Sequence, residues 1–557
     1  MPEKVNHSER LEETASNRGR RRPNLMALIA TPIIAAVALS ACSTNPGEGT
    51  SGVDAEISAP TTEVSPEVRE LMTGSPWESG QWGVLVADEK TGEVVQSLNA
   101  DSQFVTGSTA KTFAVGAALD VLGSDHRFRT PIVRTGDVAE DGRLDGDLIM
   151  VGSGDLALGG RSSTPDTLEV PDFDHFDANA VPGMATLTPQ DPLSGLDELA
   201  SQIADEGIRQ INGDIIVDNR LWEPISIGGV PITPTMVNDN LVDLLITPHG
   251  PGEPATVDWR PKTAAFTVEA DVLTTPTGTK PAVTVDANDP GHIRVHGTVP
   301  ADAKAPFVAT YQVPDPPAFA RTLLIEALAR HGVTTSAPTV GANPSDALPP
   351  KDRVAALPVS ATYTSPPFSE YAKLINKVSH NLGANLLPPL MAAQHGLHTY
   401  EDGMQIERDF LTRNGIDPES FSLVDAQGLP GDKATPLAQT ELLRVLSRRD
   451  DFGMFYDSMP SLGVDGSLAD VIDRTDPAAG QIRAKTGTLV DAPNGKLELT
   501  TKALAGYMNA QSGRRLVFAI YVNNIPVSGD SVSDAIDLAL DANKQLGAIA
   551  AAIYRSE

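Results

Sequence analysis

Cysteine is all but absent: Cys42 is the only one among 557 residues, so no disulfide can form within the chain. Basic charge is scarce as well. Lys and Arg total 42 against 73 Asp and Glu, a formal net charge of −31, with no basic stripe outside the N-terminus. That excludes a nucleic-acid partner, whose phosphates need such a stripe. No phosphate loop is present, since the glycines of "MVGSGDLALGG" lack the Lys-Ser/Thr that would have to follow. The ten histidines give no metal pattern: His292 and His296 lie in "HIRVHGTV", which reads as a strand, where four residues span roughly 13 Å. Neither this pair nor His395 with His398 has a cysteine to assist it. No metal and no cofactor are expected. What the chain does have is 40% hydrophobic residues with Gly and Pro spread throughout, the composition of a globular protein of more than one domain.

Arg18, Arg20, Arg21 and Arg22 precede an apolar run from Leu25 to Ala41, so residues 1–42 read as an export signal. The run has 17 residues and contains Pro32. A bilayer-spanning helix needs roughly 20, which makes a span marginal but leaves an uncleaved anchor open. The run ends in Leu39-Ser40-Ala41-Cys42, which resembles a bacterial lipobox, whose cysteine is acylated and becomes the new N-terminus. The alternative is a chance cysteine beside an ordinary signal peptide. Cleavage before Cys42 would leave 516 residues and remove 6 basic and 4 acidic ones, moving the net charge from −31 to −33. Residues 43–66 are rich in Ser, Thr, Pro, Gly and Glu without an aromatic, and read as a flexible tether. The expected location is the outer face of a bacterial cytoplasmic membrane or a periplasm-like space, with a lipid on Cys42 as the membrane partner.

Folded sequence begins near Val68, and its first pattern is a hairpin: "QWGVLVAD", the turn "EKTG", then "EVVQSLN". Next comes "TGSTAKT" ahead of "FAVGAALDVLG", whose apolar residues Phe113, Ala117, Ala118, Val121 and Leu122 recur at helical spacing until Gly123. Ser108 and Lys111 therefore share a face at a helix start. Two readings stand: a capping serine beside a solvated lysine, or a nucleophile with its base one turn away. A serine hydroxyl needs a base to take its proton, and a lysine serves once its surroundings lower its pKa. An S-x-x-K match is expected about once by chance in a chain of this composition.

Two further matches change the odds: Ser379-His380-Asn381 in "KVSHNLGANLL", and Lys485-Thr486-Gly487-Thr488 in "IRAKTGTL". S-x-N is again expected about once by chance, K-T-G only about one time in ten, and the three fall in order. "SEYAKLINKVSHNLGANLL" is helix-compatible, and His380 within it is expected to face outward rather than act as a base. "QIRAKTGTL" reads as a strand. A second hairpin follows, "KLELTTKALAGYMNA" with "RLVFAIYVNN", and a helix from about Ser531 to Tyr554 closes the chain. These elements predict an antiparallel sheet flanked by helices, an α/β (α+β) fold with the three motifs at one cleft.

Lys111 and Ser379 stand 268 positions apart, so a large region is inserted between the first two motifs. It holds the helix-Gly-strand unit "LDELASQIADEGIRQINGDIIVD", a β-rich stretch from about Ala264 to Val313, and a second such unit, "ARTLLIEALARHGVTT". The two units are either a weak internal repeat or ordinary α/β construction. Gly160 to Pro192, rich in Pro and Asp, has no periodicity and reads as a loop free to move.

The combination of S-x-x-K, S-x-N and K-T-G is that of penicillin-binding proteins and class A β-lactamases. From Glu67 onward the chain resembles the class C low-molecular-mass penicillin-binding proteins, the D-alanyl-D-alanine carboxypeptidase/endopeptidase family. "GDLIMVGSGDLAL", "INGDIIVDNRLW", "DAQGLP" and "GVDGSLADV" carry the likeness beyond the triplets. The resemblance implies a serine β-lactamase/DD-peptidase-like domain from residues 67–127 and 360–557. Residues 128–359 would form a β-rich inserted pair of nested domains. It implies peptidoglycan stem peptides as substrate and β-lactam antibiotics as acylating ligands. It also implies roles: Ser108 as nucleophile, Lys111 as its base, Ser379 as proton donor to the leaving nitrogen, Asn381 as a hold on Lys111 or the substrate. Lys485 would depress the pKa of Lys111 and Ser379 and attract the substrate carboxylate. The N–H groups of Ser108 and Thr488 would form an oxyanion hole, the Thr486 and Thr488 hydroxyls would bind the carboxylate, and Gly487 would leave room for substrate. Asp218 aligns with an acidic residue that meets the diaminopimelate amine in some members, or is simply a strand-end aspartate. Gly431 stands where many members carry an arginine, and Val490 where a glutamine can follow the K-T-G motif, which leaves recognition of the stem's far end open. The competing functions are a β-lactamase, against which the chain shows no E-x-x-L-N between Ser379 and Lys485, and a non-catalytic peptidoglycan-binding lipoprotein, against which all three motifs keep their polar residues.

Overall fold

The computed structural model describes residues 63–557 apart from 493–494 and 530. The export segment, Cys42 and most of the tether thus lie outside the described residues. Structure is already present slightly before the expected start at Val68: Val64 is buried, and the Ser65 side chain accepts the Val68 N–H to cap a helix, Pro66–Thr73.

Five antiparallel strands make the main sheet, in the order Val94–Leu98, Gln81–Asp88, Arg515–Pro526, Glu498–Asn509, Ile482–Asp491. Both expected hairpins are therefore present, and the K-T-G strand lies at an edge. Period-two alternation divides the strands between two cores. Leu504, Met508, Leu516, Phe518 and Ile520 pack with Leu546, Ile549 and Ile553 of the terminal helix, Val532–Ser556. Ser531 and Asp534 start that helix with a reciprocal capping box. Ala503, Ala505, Tyr507, Val517, Ala519 and Tyr521 face the other way, into a helical layer that contains Phe113, Leu374, Leu387 and Leu443. The helix after the first motif, Ala110–Leu122, is buried on every side over its first ten residues, so it is a central core helix rather than an amphipathic one.

The inserted region leaves this body through Arg127–Arg134 and returns through Val359–Pro367, which pair with each other antiparallel. Leu148–Val151 and Ile215–Asp218 extend the same sheet. The two helix-Gly-strand units, with helices Ser194–Asp205 and Pro316–Arg330, feed strands Gln210–Ile211 and Thr334–Thr335 that lie side by side in parallel. Leu196, Leu199, Leu323 and Leu324 join Val217, Val242 and Leu244 in a second core. The β-rich stretch forms a three-stranded sheet of Thr267–Thr275, His292–Pro300 and Ala282–Asp289.

Three expectations are corrected. The second motif does not ride on one helix: Phe368–Lys377 ends before it and Asn381–Gln394 begins after Ser379, which adopts a left-handed φ of 63°. His380 does not face outward. It is fully buried as the N-cap of the later helix, where its ring Nδ1 accepts the Gly383 N–H at 2.9 Å. Nor is the stretch from Gly160 to Pro192 a loop devoid of anchors, because it buries Arg161, Asp174 and His175 at 6%, 1% and 4% exposure. Paired charges hold it down, and those leave no hydrophobic period to read.

Candidate active site

The first motif enters through Gly107–Thr109, a single 3-10 turn that runs into the helix Ala110–Leu122. Ser108 makes no capping bond there. Instead Lys111 Nζ lies 2.7 Å from Ser108 Oγ, 2.8 Å from Asn381 Oδ1 and 2.9 Å from the Gln427 carbonyl. Lys111 is fully buried. Burial lowers its pKa to about 7, against the opposing charges of Asp177, Asp425 and Asp432. A neutral amine beside the hydroxyl is thus accessible near neutral pH, which is what a base needs.

The third motif lies on the edge strand Ile482–Asp491, and Lys485 Nζ donates to Ser379 Oγ at 2.8 Å and to the Thr486 carbonyl at 2.9 Å. Burial first, then the ammonium groups of Lys111 and Lys502, hold Lys485 well below the ordinary lysine range. Burial is the largest cause for both amines, and the repulsion between Lys111 and Lys485 acts on each of them. Gly487 is needed for contact, since a Cβ there would stand 2.4 Å from the Thr106 carbonyl and 3.2 Å from the Thr109 nitrogen. Gly428, at φ 100°, likewise lets the "DAQGLP" turn close on the Gly107 carbonyl, 1.9 Å from where a Cβ would sit. Asp425 shapes that turn by accepting the N–H groups of Gln427 and Gly428, and so aims the Gln427 carbonyl at Lys111.

Ser108, Lys111 and Asn381 thus form one hydrogen-bonded group and Lys485 and Ser379 another, and the second motif, which supplies both Ser379 and Asn381, sets them side by side. Thr488 is exposed at the cleft, and Thr486 Oγ1 is 3.0 Å from Ser467 Oγ of "GVDGSL". Asp218 stands apart: its carboxylate receives Arg220 Nε and Nη2 at 2.8 and 2.7 Å, at the end of a strand in the inserted region.

Three contributors escape sequence reasoning. Asp177, on the stretch read as a loop, accepts from Asn381 Nδ2 at 3.3 Å, which turns Asn381 Oδ1 toward Lys111. Burial and the neighbouring Asp174 raise its pKa, His380 and Lys111 restrain it, and the balance is about 6. Lys502, on the neighbouring strand, donates to Thr488 Oγ1 at 2.7 Å. His380 is the third, with Nε2 3.1 Å from Asp239 Oδ2. Burial lowers the His380 pKa and the carboxylates of Asp174 and Asp239 raise it, to about 9. The Gly383 N–H directed at Nδ1 makes that nitrogen an acceptor, so a proton on Nε2 faces Asp239. Behind it Asp239 also meets Arg161 at 2.6 Å and His175 at 2.8 Å, Asp174 meets Arg161 at 2.8 Å, and Asp243 meets His175 at 2.6 Å and Arg260 at 2.9 Å. Asp174, Asp239 and His380 bring ligand atoms within 4.8 Å of one another, a spacing compatible with a metal. Arg161 and His175 already neutralise the carboxylates there, so the cluster is an ion network.

The sequence profile of a family described as D-Ala-D-Ala carboxypeptidase 3 (S13) matches residues 65–545. The chain belongs to that family. As an S13 member it is a serine-type D-Ala-D-Ala carboxypeptidase, an enzyme of peptidoglycan, and a penicillin-binding protein of the class the motifs resemble. It is 28% identical over 490 residues to the D-alanyl-D-alanine carboxypeptidase of Actinomadura sp. (strain R39), covering 83% of this chain and 81% of that protein. A shorter likeness, 27% over 184 residues, links it to carboxypeptidase DacB of Mycolicibacterium smegmatis, across 32% of this chain and 38% of that one. Among solved structures, penicillin binding protein 4 of Haemophilus influenzae superposes with a TM-score of 0.63 at 20% identity, over 86% of this chain and 99% of its own. That match establishes the fold, mixed α/β with the helix-flanked antiparallel sheet. Among the described residues, no helix is long and apolar enough to cross a membrane.

Proposed function

We propose that Ser108 is the nucleophile through which this S13 enzyme cleaves D-Ala-D-Ala termini and D-Ala–diaminopimelate cross-links, and that β-lactams acylate the same oxygen. The observation that carries the reading is the 2.7 Å approach of Lys111 Nζ to Ser108 Oγ, with burial holding that amine near a pKa of 7. Ser108 Oγ bonds to the carbonyl carbon of the penultimate D-alanine while its proton passes to Lys111. The N–H groups of Ser108 and Thr488 receive the oxyanion. Ser379, in contact with Lys485, passes a proton to the leaving nitrogen, the C–N bond breaks, and terminal D-alanine departs. Water then adds to the ester carbonyl and releases the shortened stem. The solved Haemophilus influenzae relative, also determined in complex with a β-lactam, supports the pocket as a β-lactam site. On this reading residues 67–127 and 360–557 are the peptidase body and 128–359 the insertion. The chain is exported and cell-wall-associated, with Cys42 as the lipid anchor.

Full-length protein, with a Ser108→Ala variant, is to be incubated with a labelled penicillin and digested for mass spectrometry. The expected result is one adduct, on the Ser108 peptide, absent from the variant. The same digest of membrane-fraction protein reads whether the mature chain starts at an acylated Cys42. An adduct that persists in the variant would sink the nucleophile assignment, and rapid loss of the adduct with drug turnover would favour a β-lactamase. Defined cross-linked and linear muropeptides then separate endopeptidase from carboxypeptidase cleavage.

Asp177→Asn tests the electrostatics around the base. Lys111 faces Asp177 from the inserted region, Asp425 and Asp432 from the "DAQGLP" turn, and Lys485 from the edge strand. Removing one negative charge makes protonated Lys111 less stable, so its pKa falls. The acid limb of the penicillin acylation rate should move to lower pH in rapid-mixing profiles. A limb that stays in place while the plateau drops would mean that Asp177 acts on Asn381 geometry alone.

A further inference from the structure

Lys502 is the side chain that the chemistry above leaves unexplained. It sits on Glu498–Asn509 directly opposite Thr488 in the cross-strand register, and is only 4% exposed. Its ammonium donates to Thr488 Oγ1 at 2.7 Å, and among the described residues no carboxylate lies within salt-bridge distance of it. Lys111 and Lys485 each have several polar partners, whereas Lys502 has this one hydroxyl. A buried ammonium without a counter-ion is costly, and here burial alone brings its pKa down to about 7. Thr488 itself is exposed at the cleft, so the unbalanced cation is one hydroxyl away from solvent and substrate.

The strand geometry says what anion would arrive. The outer edge of Ile482–Asp491 is bridged by Ser461 at Arg483, but from Lys485 onward no strand pairs with it among the described residues, so an extended peptide can lie there, and alternation puts Thr486 and Thr488 on the same face. In both a D-Ala-D-Ala terminus and a D-Ala–diaminopimelate cross-link, the leaving amino acid carries a carboxylate one carbon from the scissile nitrogen. With the scissile carbonyl at Ser108 and Thr488, that carboxylate falls beside the Thr488 hydroxyl. We propose that Lys502 is a substrate-binding residue that, together with Thr488, receives the carboxylate of the leaving D-amino acid. The inference rests on the Ser108 reading. It adds to the strand hydroxyls a formal charge that distinguishes a free acid from an amide at that position.

Wild type, Lys502→Met and Lys502→Arg, each as the full chain, are to be compared on a D-Ala-D-Ala peptide with a free C-terminus and on its C-terminal carboxamide. Wild type should favour the acid. Lys502→Met should lose roughly 10- to 100-fold in kcat/KM on the acid, mainly through KM, and less than about threefold on the amide. Lys502→Arg should recover most of the loss. An equal loss on both substrates, which a strut supporting the strand would produce, overturns the proposal, as does a wild type indifferent to the carboxylate. The penicillin adduct keeps the two levels apart. If wild type forms no Ser108 adduct, the nucleophile reading fails. If it does, and the acid-to-amide ratio survives Lys502→Met, only the Lys502 assignment fails.

Discussion

Lys111→Met is expected to slow acylation of Ser108 by roughly a thousandfold, within the range that positioned general bases supply. Methionine matches the length of the lysine stem in a fully buried position, so the variant removes the amine with little change in packing volume. It strands Asn381 Oδ1 and the Gln427 carbonyl without their donor, a modest stability cost beside the kinetic one. The sign of the pH dependence follows from the active form being the neutral amine. With a pKa of about 7, wild-type acylation should rise through neutral pH and level off above it. Lys111→Met should lose that limb together with the rate. Lys111→Arg, which cannot deprotonate, should be as slow and equally flat. Penicillin acylation followed by rapid mixing from pH 5 to pH 9 is the measurement, and a Lys111→Met rate within tenfold of wild type would refute the role.

Arg161→Met should carry the largest effect on stability, about 3–5 kcal/mol, because it leaves Asp174 and Asp239 buried with less than their complement of positive charge. Denaturant titration of the described body reads the change, and a loss under about 1 kcal/mol would show the network to be self-sufficient without Arg161. The same cluster has a pH signature. Both ring nitrogens of His175 face carboxylates, Asp243 and Asp239. Burial lowers its pKa and those charges raise it, to about 10. The folded pKa lies above the unfolded one, so its contribution is fully present below about 6.5 and is lost as pH climbs from there through about 10. Arg161→Met should also slow acylation, because Asp239 holds His380, which stands between Ser379 and Asn381.

Much of the architecture was legible from periodicity. Alternation marked the two hairpins and the K-T-G strand, the run after Lys111 marked the central helix, and the 268-position separation of Lys111 and Ser379 pointed to inserted chain between them. The five motif residues were legible for another reason: their spacing is dictated by chemistry and stays visible as short strings. What stayed hidden has no period and no motif. Arg161, Asp174 and His175 sit in a Pro- and Asp-rich stretch because charge pairing, not apolar burial, secures it. Asp177 reaches Asn381 across 204 positions. Ser379 occupies a left-handed conformation in a string of helix-compatible residues, and only the tertiary contacts of His380 favour that turn over a continued helix. Lys502 looked like any polar residue on an alternating strand, and only the absence of a counter-ion sets it apart.

The left-handed turn at Ser379 makes the insertion part of the engine. Splicing the chain short between Arg127 and Val359 would spare the main sheet, Ser108, Lys111 and the K-T-G strand. It would delete Asp177 from behind Asn381, and Asp174 and Asp239 from behind His380. The pruned molecule would retain every recognisable signature but lose the carboxylates that brace the middle one from behind.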